Sequence, residues 1–238
     1  MKTNNRLVVT PSTNSGSRAK SRDKVEPQDI MAAIKKTGRP VFTTHELTAL
    51  SGKSSSTVVH SLTRLAKQGL LVKIYRGVWA EAGPRAISPF EIIPYLFPRR
   101  RVYVSFISAL HLHGIVEQIP QVITLASTAH TNTLRTKAGV FSVHQMAPFF
   151  FDGFDWYKGE GNFLIAEPEK ALIDSLYLSS RKKKQFGYFP ELDFPPEFSF
   201  KKAARWAEHI PEKKIRLYVL EKLKAFKHRN ISKSSGLR

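Results

Sequence analysis

The chain has 238 residues, which is long enough to bury a core and to form two domains. It contains 38 basic and 19 acidic residues, and the formal net charge of +19 favours a polyanionic partner such as DNA, RNA or an anionic membrane surface. The absence of cysteine excludes disulfides, thiolate zinc sites and a cysteine nucleophile. No apolar run approaches the ~18 residues of a membrane span. The start of the chain also lacks a signal-peptide core, so we expect a cytoplasmic protein without a membrane partner.

Composition divides the chain into regions. Residues 1–26 are rich in Ser, Thr, Asn, Lys and Arg and are predicted to form a disordered basic arm. Residues 27–86 are predicted to form a first domain, and a stretch with Gly and Pro at 83–89 is predicted to be a boundary that few contacts cross. Residues 87–226 are predicted to form a second domain, and 227–238 a frayed basic tail. We therefore expect the first domain to function when it is isolated.

Two helices are predicted at the start of the first domain. The first begins near Pro27, because proline suits the first helical position, and it ends at a Thr-Gly-Arg-Pro stretch. The second opens with Thr43 and Glu46, whose spacing is that of a capping box. Its buried side is predicted to be supplied by Leu47 and Leu50.

A third helix is predicted to begin at one of three serines at 54–56 and to end at Gly69. At about 100° per residue, one arc of this helix is apolar and holds Val58, Val59, Leu62, Leu65 and Ala66. The opposite arc has donors, hydroxyls and positive charge but no carboxylate, and it holds Lys53, Ser56, Thr57, His60, Arg64 and Lys67. An ordinary solvated face usually mixes both signs of charge, so the pattern favours a recognition helix in a DNA groove.

A hairpin is predicted directly after this helix, with strands at 70–74 and 78–80. Gly77 can adopt the positive φ that a tight hairpin turn requires. The turn presents Tyr75 and Arg76, flanked by Lys73, to a phosphate or to the minor groove. The alternative is a hairpin that only closes the sheet, but the order of three helices and a hairpin favours a winged helix-turn-helix.

The two elements together give a set of predicted contacts to double-stranded DNA, which would place the protein at the nucleoid. The predicted contact residues are Lys53, Ser54, Ser55, Ser56, Thr57, His60, Ser61, Arg64, Lys67, Lys73, Tyr75 and Arg76.

The second domain alternates helix-like and strand-like segments, so the whole chain is predicted to have an α/β (α+β) fold: an N-terminal winged helix-turn-helix followed by a mixed α/β domain. Its predicted elements are strands at 102–105, 122–126 and 139–146 and helices at 105–113 and from 167 onward. Trp79 is expected to pack against a helix at 89–96.

Enzymatic signatures are weak in the second domain. A metal-binding site would have to use His111, His113, His130 and His144, but no HExxH, EF-hand or P-loop motif occurs. Glu167, Glu169 and Asp174 resemble nuclease carboxylates, yet their spacing along one helix is more typical of a first-turn charge pair plus a cap or a salt bridge. The sequence therefore predicts no catalytic residues, no metal and no cofactor.

Three segments resemble the AbiEi-type antitoxins, the antitoxin and transcriptional-regulator family of type IV toxin–antitoxin systems. They are LLVKIYRGVWA at 70–80, YVSFISALHLHGIVEQIPQVITLAS at 103–127 and IAEPEKALIDSLYL at 165–178. The resemblance implies a winged-helix repressor that binds inverted repeats in its own promoter through the helix at 55–68 and the wing at 73–79. It also implies that the second domain counteracts a nucleotidyltransferase-like toxin encoded next to it.

The chain departs from the family in its long basic arm and in an Arg-Lys-Lys-Lys run at 181–184, which is expected to be either a solvated loop or a source of further phosphate contacts. Two other functions therefore stay open. One is a stand-alone regulator whose second domain binds a ligand or a protein. The other is a metal-dependent nuclease, suggested by the basic charge and the scattered carboxylates.

Overall fold

The computed structural model describes residues 27–84, 87–180 and 189–235. The predicted basic arm, two residues of the predicted linker and the basic run at 181–184 lie outside these ranges.

The first domain contains three helices and a three-stranded antiparallel sheet in the order β1-β3-β2. Its elements are α1 (Pro27–Thr37), β1 (Val41–Thr43), α2 (Thr44–Ser51), α3 (Ser55–Lys67), β2 (Leu71–Tyr75) and β3 (Val78–Glu81). The three helices and the hairpin confirm the prediction. Strand β1 was missed, because three residues are too few to show a period of two.

Side-chain caps fix where α2 and α3 begin. The Thr43 hydroxyl accepts a hydrogen bond from the Glu46 backbone N–H at 3.1 Å, as the capping-box spacing predicted. The Ser54 hydroxyl accepts one from the Thr57 N–H at 3.3 Å. The prediction that Leu50 is buried was wrong: it lies in the last turn of α2 and is 47% exposed, whereas Leu47 is fully buried.

A small core lies between the three helices and one face of the sheet. It includes Ile30, Ile34, Phe42, Leu47, Val58, Leu62, Leu65, Leu71 and Trp79. The expectation that Trp79 packs against residues 89–96 was wrong, because its ring lies in this core and its indole N–H donates to Thr44 Oγ1 at 3.0 Å. Side chains alternate along a strand, so Val78 and Ala80 point to the other face.

The second domain is built on a six-stranded mixed sheet in the order β6-β7-β5-β4-β9-β8. Its elements are α4 (Ile93–Leu96), β4 (Val102–Val104), α5 (Phe106–Leu112), β5 (Val122–Ser127), β6 (Asn132–Thr136), β7 (Gly139–Gln145), β8 (Phe154–Trp156), β9 (Leu164–Ala166), α6 (Pro168–Ser180), α7 (Phe200–Glu208) and α8 (Lys213–Ser235). Helix α6 packs against α5, α7 and α8. The mixed α/β architecture confirms the predicted fold class.

The predicted frayed tail is instead helical as far as it is described. Helix α8 spans Lys213–Ser235, so it includes most of residues 227–238. No Gly or Pro interrupts the sequence between its first residue and Gly236, which allows the helix to continue. The Ser232 hydroxyl donates to the His228 carbonyl at 3.1 Å within this last part.

The two domains share one core across the predicted boundary. The second face of the small sheet buries Val41, Ile74, Val78 and Ala80 in the same cluster as Ile92 and Ile93 of the second domain. Lys137 lies in the turn between β6 and β7, and its backbone N–H donates a hydrogen bond to the Ile74 carbonyl at 3.1 Å. The wing strand β2 is thus held by residues from both domains.

We expect an isolated 27–86 fragment to be much less stable than the whole chain, because the cut exposes the apolar face of its sheet to water. Thermal unfolding followed by circular dichroism measures the difference. A 27–97 fragment is the matched control, since it keeps Ile92 and Ile93 and should recover part of the lost stability. Cooperative melting of the shorter fragment at the whole chain's temperature would contradict this expectation.

Candidate nucleic-acid interface

Helix α3 exposes one continuous face to solvent. Its exposed residues recur every three or four positions and therefore share one side of the helix: Ser55, Ser56, Val59, His60, Thr63, Arg64 and Lys67. No Asp or Glu occurs anywhere between Leu47 and Ala80, so no carboxylate of this segment competes with an incoming phosphate. This set of seven residues is called the α3 face below.

The structure changes three assignments on this helix. Ser61 was predicted to contact DNA, but it is only 7% exposed and lies on the inner side, so it is removed from the candidate set. Val59 was assigned to the apolar arc, but it is 40% exposed. The buried stripe is narrow because Val58, Leu62 and Leu65 alone fill the space over the small core, which leaves Val59 and the unpredicted Thr63 in solvent.

The N-terminal end of α3 carries a cluster of hydroxyl groups. Ser54 Oγ lies 3.0 Å from Ser56 Oγ and 2.8 Å from Thr57 Oγ1. Ser54 and Ser55 are exposed, and Lys53 and Thr57 are half-buried. Small hydroxyl side chains leave room for close approach, and the free N–H groups and dipole of a helix N-terminus attract anions. This end of the helix is suited to a backbone phosphate.

The wing is a tight hairpin between β2 and β3. Gly77 has φ +74°, a left-handed conformation that glycine adopts without strain, and it lets the chain reverse directly after Arg76. Tyr75 and Arg76 are exposed at the tip. The Lys73 ammonium lies 5.4 Å from the centroid of the Trp79 ring, so a cation–π contact holds this side chain beside the sheet.

Asp174, one of the three acidic residues that resemble nuclease carboxylates, belongs to a buried structural network. Asp174 and Lys170 are both fully buried and form an ion pair one helical turn apart. Asp174 Oδ2 also accepts hydrogen bonds from Tyr103 at 3.0 Å and from Ser105 at 2.7 Å, and the Lys170 ammonium lies 4.2 Å from the centroid of the Phe150 ring. We call Lys170, Asp174, Tyr103 and Ser105 the buried network.

Burial shifts the ionisation of this network. Desolvation raises the pKa of Asp174, while the Lys170 ammonium and the two hydroxyl donors act in the opposite direction. Desolvation, with the Asp174 carboxylate beside it, raises the pKa of Tyr103 well above its ordinary value. The phenol therefore stays protonated and donates its hydrogen bond to Asp174.

Glu167 and Glu169 have structural partners as well. Glu169 is almost fully buried and accepts a hydrogen bond from the Ser199 backbone N–H at 2.9 Å, just before α7. Lys202 Nζ lies 3.0 Å from Glu167 Oε2 and 3.5 Å from Glu169 Oε2. These contacts confirm the interpretation of the three acidic residues as a first-turn charge pair with salt bridges.

Three of the four histidines considered as metal ligands lie beside backbone carbonyl or hydroxyl oxygens instead. His111 Nδ1 lies 2.9 Å from the Val116 carbonyl, and His113 Nε2 lies 2.8 Å from the Ala166 carbonyl. His144 Nε2 lies 3.0 Å from Ser142 Oγ. In the part of the chain that the structure describes, no three His, Asp or Glu side chains are grouped so that they could hold a metal ion.

The first domain is a winged helix-turn-helix. It has three helices, an exposed face without carboxylates on the third helix, and a hairpin directly after that helix. Residues 28–82 match the family described as "Transcriptional regulator, AbiEi antitoxin". The match confirms the predicted resemblance over the first domain, including the segment at 70–80. The segments at 103–127 and 165–178 lie outside the matched residues, so their resemblance stays a prediction.

A search of curated proteins found no match to this chain. Across the described ranges, no helix combines the length and the apolar character needed to cross a bilayer.

Proposed function

We propose that the protein is a transcriptional repressor that reads operator DNA with the α3 face and the wing and performs no catalysis. The observation that carries the proposal is the α3 face itself, a helix surface with hydroxyls, His60, Arg64 and Lys67 but no carboxylate, next to a wing tipped by Arg76. Base edges are read by hydrogen bonds and methyl contacts in the major groove, and this surface offers both.

Each part of the α3 face has a distinct proposed role. The hydroxyl cluster at its N-terminal end binds a phosphate. The Val59 side chain, exposed in the middle of the face, contacts a thymine methyl group, and Arg64 makes a bidentate contact to guanine. Arg76 at the wing tip contacts the adjacent phosphate backbone.

The finer part of the proposal concerns the operon. We infer that the protein represses its own promoter at inverted repeats and that residues 87–226 counteract a nucleotidyltransferase-like toxin encoded next to it. The resemblance of the segments at 103–127 and 165–178 supports this inference, and the second segment supplies Lys170 and Asp174 of the buried network. A stand-alone regulator is the alternative, and the neighbouring gene distinguishes the two.

Footprinting on the protein's own promoter, repeated over a range of salt concentrations, tests the repressor proposal. We expect protection of inverted repeats and an apparent affinity that falls steeply with salt, because each bound phosphate releases counterions. An affinity that barely changes between low and moderate salt, or no protected site, would contradict the proposal.

Growth rescue tests the antitoxin part separately. The neighbouring toxin gene and this chain are expressed from foreign promoters, so that repression plays no role. The chain with Arg64→Ala and Arg76→Ala is expected to rescue growth as well as the unmodified chain does. Failure of both proteins to rescue growth would favour the stand-alone regulator.

Arg76→Ala is expected to weaken binding to operator and random duplex DNA by the same factor and to lower the salt slope by about one, as for a single phosphate contact. Titrations of both duplexes at several salt concentrations measure the change. Arg205→Ala, which removes an exposed arginine on α7, serves as the control and should leave both affinities unchanged. A loss restricted to one operator position would show that the wing reads bases instead.

A further inference from the structure

A second basic surface lies far along the chain from α3, at one end of the six-stranded sheet. Three consecutive arginines, Arg99 to Arg101, lead directly into β4. In the same sheet, Trp156 ends β8 and pairs with Leu164, the first residue of β9, which in turn pairs with β4. The topology therefore brings the arginines and Trp156 to the two sides of a surface groove of about 580 Å³.

The charge of the groove is positive and uncompensated among the described residues. All three arginines are exposed, and none of the ion pairs among the described residues involves their guanidinium groups. Asp155 is the neighbour of Trp156 on β8, but it does not line the groove, and its carboxylate accepts a hydrogen bond from the Trp156 backbone N–H at 2.7 Å. An anionic ligand would meet three free guanidinium groups here.

The apolar part of the groove is lined by Phe154, Trp156 and Leu164. Trp156 is 56% exposed, while Phe154 and Leu164 on the same side are only half-buried. Phe154 is held in place by stacking on the buried Tyr103, with ring centroids 4.5 Å apart and an angle of 17° between the planes. More than half of the Trp156 side chain is thus open to solvent, two residues along β8 from a ring that is fixed by stacking.

We propose that this groove binds single-stranded nucleic acid, with a base stacked on Trp156 and its neighbouring phosphates bound by Arg99, Arg100 and Arg101. Arginine matches phosphate oxygens with two parallel hydrogen bonds, and an exposed indole offers a stacking surface for any base. A base within a duplex is already stacked between its neighbours, so duplex DNA does not use this stacking surface. The site is therefore independent of operator reading by the α3 face.

The chemistry favours a nucleic acid over other anionic partners. An acidic peptide satisfies the arginines but places no flat ring on Trp156. An anionic membrane meets a concave surface with one large exposed apolar side chain, which gives little area to insert. A chain of alternating phosphates and bases supplies both interactions at short spacing and engages all three arginines.

Binding of labelled oligonucleotides to the full chain tests the proposal. Fluorescence anisotropy titrations use oligo(dT) and oligo(rU) of about 15 nucleotides, and a random-sequence duplex is measured in parallel. Trp156→Ala is expected to weaken binding of the single strands at least about fivefold, which corresponds to ~1 kcal/mol of lost stacking, and to leave duplex affinity unchanged. Trp156→Phe should keep most of the affinity. The strand that binds with higher affinity shows whether the groove prefers single-stranded DNA or RNA.

Arg99→Ala, Arg100→Ala and Arg101→Ala combined should lower the salt slope for single strands by about two, because three phosphate contacts are lost. Phe149→Ala, which removes another exposed aromatic ring, and Arg205→Ala are the matched controls and should change nothing. Circular dichroism melts establish that each variant is folded.

Photo-cross-linking with an oligonucleotide that carries 4-thiouridine gives a second measurement, and we expect adducts at residues 154–164. Cross-links confined to 53–76, or equal losses for Trp156→Ala and Phe149→Ala, would overturn the proposal. The proposal would also be overturned if Trp156→Ala weakened binding of a polyglutamate peptide or of phosphatidylglycerol vesicles by the same factor of five.

Discussion

Asp174→Ala is expected to lower the free energy of unfolding by about 3–5 kcal/mol, because the Lys170 ammonium would stay buried without a counter-charge. Tyr103 and Ser105 would lose their shared acceptor at the same time. For a chain of this length the loss corresponds to a fall in melting temperature of roughly 6–20 °C. Thermal unfolding by circular dichroism or calorimetry measures it.

Two controls separate this effect from ordinary loss of charge. Glu167→Ala removes a partly exposed partner of Lys202 and should cost less than about 1 kcal/mol. The double variant Lys170→Met with Asp174→Leu replaces the pair by apolar side chains and should recover much of the stability. Equal melting temperatures for Asp174→Ala and the unmodified chain would show that the buried network contributes nothing.

Arg64→Ala is expected to weaken operator binding by about 5- to 150-fold, the equivalent of ~1–3 kcal/mol for a bidentate guanine contact. Binding to random duplex DNA should fall much less, because non-specific affinity depends on total phosphate neutralisation. Arg64 is suited to this role because it is exposed on the α3 face, in the last turn of the helix, and has no acidic neighbour on the helix. Parallel titrations with operator and random duplex measure the ratio.

Arg64→Lys is the matched control for this prediction. Lysine keeps the positive charge but lacks the planar fork of guanidinium, so it should retain random-duplex affinity and lose operator preference. If Arg64→Ala weakened both duplexes equally, Arg64 would be a phosphate contact. Specificity would then rest on His60, Val59 and the serines at the helix start.

Local chemistry let the sequence predict the winged helix. The caps at Thr43 and Ser54 depend on residues three positions apart, and the wing turn depends on one glycine with positive φ. Such features are decided within a few residues of each other, so they are visible without a fold. The lack of carboxylates between Leu47 and Ala80 is likewise a property of the sequence alone.

Packing across distant parts of the chain decided the rest. Whether Val59 or Ser61 faces solvent depends on how much of α3 is covered by the small core, and periodicity gives only an approximate arc. Val78 and Ala80 share one hydrophobic cluster with Ile92 and Ile93. This cluster joins residues on both sides of the Gly- and Pro-containing stretch that composition marked as a boundary. A sheet with two apolar faces must be packed against other elements on both sides, and composition does not show which elements these are.

The charge, the caps, the helix order, the wing and the resemblance confirmed by the family match at residues 28–82 could all be recognised without the fold. Only the tertiary structure placed Tyr103 against Asp174 and Arg99 to Arg101 beside Trp156. Both arrangements join residues more than fifty positions apart: the first packs β4 against helix α6, and the second depends on the order of β4, β9 and β8 in the large sheet. Strand order follows from the packing of the whole domain, because each strand can pair with several others and local propensity does not distinguish among them.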